Sequence, residues 1–380
     1  MQRTPFGGSP PPGGLPRFDL VAAVILAVVV VGLLPSYGGQ SPAHTAAPGA
    51  GPGASLTANA LAMAHPHGVR GSLKWTQLAP GASPSGRSAF MMAYDPVDHE
   101  VVLFGGTPRF LGDTWTFANG NWTQLTPATS PPARYGGTMS FDAKDGYVLL
   151  FGGLGARGAL NDTWSFRGGI WTNLTHPRAP SPRFGASMAY DPPIGRVVLF
   201  GGCGFLPPFQ TLCPSNGGLF DTWTYRGGNW TELPANRTHP HARYLAGLAY
   251  DARDKVLELY GGNGASAFLS STWELIGQRW HLIAKTSVAG TRGDFGMVYT
   301  PHGAGAVILF GGMTGEFPST LDLGGTYQSL NGSWSLVPIS GPTARQGTAM
   351  ADDIAAHAVI LFGGYVGTSA TYSNQTWELH

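Results

Sequence analysis

The chain has 380 residues, enough to bury a sizeable core, and carries 57 Gly, 31 Pro and 11 Trp against only 11% charged residues, a turn-rich and strand-like composition that predicts an all-β fold. Its formal net charge is +1 and its cations are dispersed singly, so there is no basic stripe to neutralise phosphates, which excludes nucleic-acid binding. Two cysteines, Cys203 and Cys213, exclude a disulfide-framework fold and any Cys-rich zinc site.

Residues 1–18 read as a short cytoplasmic tail, followed at 19–35 by a membrane segment. Within it, Leu20 to Leu34 are 15 consecutive residues without a charged or strongly polar side chain, ended by Pro35. That length lies between a long signal-peptide core and a short transmembrane helix, and either reading exports the remainder of the chain. Arg3 and Arg17 precede the segment and no Lys or Arg comes after it until Arg70, which places the N-terminus in the cytoplasm. No clean small-x-small cleavage site stands directly after the segment, which favours an uncleaved signal anchor over a removed signal peptide. Residues 36–72 are dominated by Gly, Ala, Pro and Ser without apolar periodicity and read as a flexible stalk.

From about residue 73 to 380 one pattern recurs six times. An apolar run ending in an aromatic and two glycines occurs with its first glycine at Gly105, Gly152, Gly201, Gly261, Gly311 and Gly363, at intervals of 47, 49, 60, 50 and 52 residues. Before each run stands an arginine: Arg87, Arg134, Arg183, Arg243, Arg292 and Arg345. After each comes a Thr-aromatic pair ending in Trp115, Trp164, Trp223, Trp273, Tyr327 or Trp377. Seven residues beyond the first five of these lies a second tryptophan: Trp122, Trp171, Trp230, Trp280 and Trp334. The sixth copy has no room for one. The missing segment is at the other end, where Lys74-Trp75-Thr76-Gln77-Leu78 matches Asn121-Trp122-Thr123-Gln124-Leu125. The chain therefore enters on the fourth strand (d) of a unit whose first three strands (a, b and c) are its last residues. Such a permutation requires a closed ring, which removes the open sheet edge that a linear array would leave.

Within the unit, small residues mark strand a (Ala89 to Tyr94, Gly185 to Tyr190, Gly347 to Met350), and strand b is apolar on both faces, as a sheet sandwiched between neighbours requires. Asn119-Gly120, Gly168-Gly169, Gly227-Gly228, Gly277-Gln278 and Asn331-Gly332 centre the c–d links, a type I′ hairpin signal. The double glycine after strand b allows a conformation or close approach that a Cβ would block. The aromatics of strands c and d are expected to fill the space between blades.

The arginine, the aromatic-Gly-Gly run and the two spaced tryptophans together resemble the kelch repeat, over about 307 of the 380 residues. The resemblance implies a six-bladed β-propeller of four-stranded blades closed by an N-terminal d strand. The family's Tyr after the double glycine is mostly absent, and Asp-Thr-Trp, with Asp113, Asp162 and Asp221, takes its place in three copies. A WD40 propeller is disfavoured because no Gly-His and Trp-Asp pairs recur.

Strand alternation puts the b–c and d–a loops on one face. The span from the first glycine to the strand-c aromatic varies as 10, 12, 22, 12, 16 and 14 residues, whereas the c–d links are constant, so recognition is expected on the b–c/d–a face, with loops 203–220 and 313–325 as candidates. Cys203 and Cys213, ten apart in the longest loop of an exported chain, are expected to pair. The six arginines have two readings: guanidinium groups that tie adjacent blades through backbone carbonyls, or a ring of cations at the pocket mouth that receives an acidic ligand. The resemblance implies use of the axial pocket and its loops for partners. His65-Pro66-His67 and His239-Pro240-His241 lack Cys, Asp or Glu at ligand spacing and read as solvated loop histidines, so no metal is expected. Sequons at Asn121, Asn161, Asn173, Asn229, Asn236, Asn331 and Asn374 suit an exported chain, though several are repeat letters.

No nucleophile-base motif, phosphate loop or paired carboxylate stands out. The expected function is a membrane-tethered extracytoplasmic module that recognises a protein or glycan without catalysis and without a cofactor. A carbohydrate-active or oxidase-type propeller enzyme with a site at the axial channel is the alternative. Convergent His, Tyr or carboxylate groups in that channel would discriminate the two.

Overall fold

The computed structural model describes residues 73–380 apart from 205–212, 214–217, 236–237, 304 and 316–319. The cytoplasmic tail, the 19–35 membrane segment, the stalk, His65 and His67, and much of the 203–220 loop lie outside the described residues. Among the described residues no helix is long and apolar enough to cross a membrane.

Six four-stranded antiparallel sheets, each in the order a-b-c-d, make a six-bladed β-propeller. In blade 1 the strands are Met91–Asp95, Glu100–Gly106, Leu111–Ala118 and Asn121–Leu125. Blade 2 has Thr138–Asp142, Tyr147–Gly155, Gly158–Arg167 and Ile170–Asn173, with Arg134–Tyr135 added beside its extended b strand. Blade 3 has Ser187–Asp191, Arg196–Phe200, Thr222–Arg226 and Asn229–Glu232, and blade 4 has Gly247–Asp251, Val256–Tyr260, Thr272–Ile276 and Arg279–Ala284. Blade 5 has Gly296–Thr300, Ala306–Phe310, Thr326–Leu330 and Ser333–Val337. Blade 6 is the composite: Ala349–Asp353, Ala358–Phe362 and Thr376–Leu379 from the end of the chain, and Trp75–Leu78 as its d strand. Trp75 pairs Leu379 and Leu78 pairs Thr376, and Lys74 and His380 exchange backbone hydrogen bonds at 3.0 and 3.2 Å.

The b strands are buried on both faces because each blade is covered by the next. Val101 to Phe104, Val197 to Phe200 and Val359 to Phe362 all have at most 1% exposure. One b strand carries a fully buried acid: Glu258 accepts a hydrogen bond from Ser329 Oγ of blade 5 at 2.8 Å, and its Oε1 has no partner among the described residues.

The d-strand tryptophans join the blades. Trp122, Trp171, Trp230, Trp280, Trp334 and Trp75 each donate Nε1–H to the Thr of the preceding blade's Thr-aromatic pair, at 2.7–3.2 Å, and each packs against the last aromatic of that blade's b strand at 4.8–5.6 Å between centroids. One tryptophan thus supplies a large apolar surface and satisfies its only polar atom across the same seam. The strand-c aromatics lie in the same inter-blade clusters, Trp164 and Trp273 buried and the other four partly exposed, and they serve the arginine sites as well.

All five expected c–d turns have positive φ at both central residues, from Asn119 (51°) and Gly120 (79°) to Asn331 (53°) and Gly332 (67°). Strand a begins later than expected: in blade 1 at Met91 rather than Ala89, in blade 3 at Ser187 rather than Gly185, and in blade 6 at Ala349 rather than Gly347. Ala89, Gly185 and Gly347 have φ of 51°, 63° and 62°, a left-handed conformation that cannot continue a strand.

Candidate functional site on the b–c and d–a face

The six repeat arginines enter this face just before strand a, and all are 0–2% exposed. Each donates Nη1–H to the carbonyl of the first glycine of its own blade's pair (Gly105, Gly152, Gly201, Gly261, Gly311 and Gly363) at 2.8–3.0 Å. The guanidinium therefore ties segments of one blade, not adjacent blades, and the arginines form no open ring of cations. Blade-to-blade contact comes from the same residues' main chain. The N–H groups of Gly202, Gly262, Gly312 and Gly364 donate to the carbonyls of Arg243, Arg292, Arg345 and Arg87 at 2.8–2.9 Å. A Cβ on the first glycine of any of the six pairs would lie 2.5–2.8 Å from that carbonyl, which is why the position admits only glycine.

The second half of each guanidinium divides the ring. In blades 1–3 it meets a carboxylate: Arg87 with Asp113, Arg134 with Asp162 and Arg183 with Asp221, each bidentate at 2.6–2.8 Å. The same carboxylates accept Nε1–H of Trp115, Trp164 and Trp223 at 2.7 Å, so the strand-c tryptophan braces the ion pair. Burial pushes the Asp113 carboxyl up, but the hydrogen bonds and charge of Arg87 outweigh it and hold the group below the usual carboxylate range.

In blades 4–6 the corresponding residues are Ser271, Gly325 and Gln375. Arg345 is refilled by neutral groups, with Nη2–H donated to Gln375 Oε1 at 2.8 Å and Thr343 Oγ1 at 3.0 Å. Arg292 turns Nη2 to the Ala289 carbonyl and lies 4.7 Å from the Tyr327 ring centroid. Arg243 reaches Ser271 Oγ at 3.2 Å, and its Nη2 has no partner among the described residues. Burial without a counter-charge lowers Arg243 and Arg345 to about 10, so both remain cationic at neutral pH.

Two residues after each arginine the chain closes around the axis. Ala89, Gly136, Gly185, Leu245, Asp294 and Gly347 all have φ between 51° and 63°, and each N–H donates to the carbonyl of the preceding member at 2.7–3.0 Å, Ala89 to Gly347 completing the circle. Of these six residues one, Asp294, carries an ionisable side chain. Burial, with the charge of Asp322 adding to it, pushes Asp294 up to about 6.

The 203–220 loop contributes Cys203 and Cys213, which are disulfide-bonded, and Phe220, which stacks on His239 of the next d–a loop at 4.9 Å and 17°. A cavity of about 350 Å³ lies on the blade 4 side of that stack, against His241, Ala242, Gly264, Ala265 and Leu269, and a second of about 280 Å³ reaches Asp221, Glu232 and Trp280. In the 313–325 loop, Met313–Thr314 pairs with Leu321–Asp322, and Asp322 accepts the Gly367 N–H of blade 6 at 2.5 Å. Among the described residues no three His, Cys, Asp or Glu side chains are grouped to hold a metal ion.

Sequence reasoning missed the partnership of the Asp of Asp-Thr-Trp with the repeat arginine, although both recur in copies 1–3 and the shared periodicity was a usable signal. It also missed the axial ring, for which only Gly136, Gly185 and Gly347 gave a hint. The opposite face has its own repeat: Asp95, Asp142, Asp251 and Asp353 each accept two backbone N–H groups of the adjoining a–b turn.

Compared with known proteins, the chain is similar to the solved structure titled "Structure of YjhT", with a TM-score of 0.60 and 14% sequence identity, covering 78% of this chain and 95% of that one. At that identity the likeness shows the β-propeller fold. No protein-family model and no curated protein matches the sequence.

Proposed function

We propose that the protein is a kelch-type propeller held outside a membrane by residues 20–34, where it recognises a protein or glycan through its b–c/d–a face without catalysing a reaction. The observation that carries this reading is the division of labour between the two faces. The c–d links are uniform two-residue turns, whereas the b–c loops vary in length and, with a d–a loop, bring a disulfide, a Phe220–His239 stack and two cavities to one seam. Variable loops on a rigid ring are where binding residues concentrate. The recurrent charged residues of this face are engaged in structure, with three of the six arginines in bidentate ion pairs, and the axial ring is backbone-lined with Asp294 as its one acid.

Full-length protein displayed on cells, or in detergent, is to be tested against glycan and envelope-protein panels, with Phe220→Ala on the b–c/d–a face compared with Asn119→Ala on the c–d face. Loss of binding with the first and not the second is expected. Loss confined to the second would place recognition on the other face, and turnover of a substrate abolished by Asp294→Asn would favour the enzyme reading. Protease accessibility of the propeller in intact cells, with membrane retention after carbonate washing, tests the tether.

A further inference from the structure

We propose that blade 4 binds a small carboxylate with a short apolar tail, its head seated against Arg243 where Asp113, Asp162 and Asp221 stand in blades 1–3. This ligand chemistry rests on recognition by the b–c/d–a face, as proposed above. Its test uses small acids rather than partners, so the two can fail separately.

The internal repeat supplies the reference state. In three blades the repeat guanidinium receives two carboxylate oxygens from strand c, with the adjacent tryptophan donating to the same group. In blade 4 the rest of that apparatus is retained. Arg243 donates Nε–H to the His241 carbonyl and Nη1–H to Gly261, and Trp273 directs Nε1–H to residue 271 at 3.2 Å. Only the acid is cut back, to Ser271. What remains is a guanidinium 1% exposed whose Nη2 lacks a partner among the described residues, a group that a planar two-oxygen anion satisfies best.

In the first three blades this position is open to solvent. The three aspartates that occupy it elsewhere keep 18–22% side-chain exposure, so solvent touches the carboxylate place even when it is filled. The 350 Å³ cavity is bounded by His241 and Ala242, the two residues preceding Arg243, and by Phe220, Ala265 and Leu269. That is the low end of the about 300–1,000 Å³ usual for small-molecule sites, and the walls are largely apolar, which suits an alkyl or aryl tail. Arg292 and Arg345 do not repeat the arrangement, because Ala289 with Tyr327 and Gln375 with Thr343 engage them.

The test is calorimetry and thermal melting of the full-length protein with acetate, hexanoate and benzoate, against hexanamide, benzamide and inorganic phosphate. Hexanoate and benzoate are expected to bind at least about tenfold more tightly than their amides and than acetate, and to raise the melting temperature. Ser271→Asp restores the internal carboxylate, so it is expected to raise the melting temperature by itself and to weaken hexanoate at least about tenfold. Arg243→Lys removes the two-donor fork and is expected to weaken hexanoate as well, and Ser271→Asp, which gains stability, remains informative if Arg243→Lys fails to fold. Amides binding as well as acids, phosphate binding more tightly than hexanoate, or hexanoate affinity unchanged in Ser271→Asp would each overturn the proposal.

Discussion

Blades 1–3 and blades 4–6 are built on the same seams but differ in how they treat one buried charge. Both halves keep the tryptophan-to-threonine bond across every seam and the arginine-to-glycine bond within every blade. Only the first half neutralises the arginine with an acid. The difference teaches that the guanidinium is retained for its directional donors to main-chain carbonyls, since it persists where its counter-ion is lost. Its charge is then a local cost that each blade of the second half meets with a hydroxyl, an aromatic face or an amide.

The largest expected effect is from breaking the pair where it exists. Asp162→Ala leaves Arg134 buried beside an empty acid position and should cost about 3–5 kcal/mol, measured by denaturant unfolding. Gln375→Ala in blade 6 removes a neutral acceptor only and should cost about 1–3 kcal/mol. Equal losses would erase the distinction between the halves.

Glu258 sharpens the comparison with pH. Burial pushes its carboxyl up to about 8, so the native state binds a proton that the unfolded chain releases near the ordinary carboxylate range. Stability should then fall as pH rises between those limits, by an amount on the order of a few kcal/mol, and Glu258→Gln should flatten that slope. Asp113 has the opposite sign: its lowered value contributes stability above the usual carboxylate range that is lost as pH falls through it. Melting curves taken across pH separate the two.

Ser271→Asp, which makes blade 4 resemble the first three, should gain about 1.5–3 kcal/mol through a charge-assisted hydrogen bond. The smallest effect serves as a control. Thr114→Val and Thr222→Val each remove the acceptor of one seam hydrogen bond at nearly constant volume, so each should cost about 1 kcal/mol, alike in both halves. A marked inequality would show that the seams, and not only the arginine sites, distinguish the halves.

Much of the ring was legible because its parts are local and periodic. The match of Trp75 to Trp122 fixed how the chain closes, the Asn-Gly and Gly-Gly pairs gave the hairpins, and six double glycines counted the blades. The candidate site was less legible. Arg87 and Asp113 lie 26 residues apart and Arg183 and Asp221 lie 38 apart, so no spacing rule joins them until strands a and c are folded onto the two sides of strand b. The direction of the guanidinium, inward to its own blade, depends on where the glycine carbonyls point.

The order of residues alone therefore determined the number of blades, the composite sixth sheet and the face that carries variable loops, because those come from repetition and from the alternation of strand direction. Folding in three dimensions decided which buried cations are neutralised and which are not, that six left-handed residues lock around the axis, and that the two residues before Arg243 border a cavity. Those are properties of distance and burial, and distance between remote residues is set only when the ring closes.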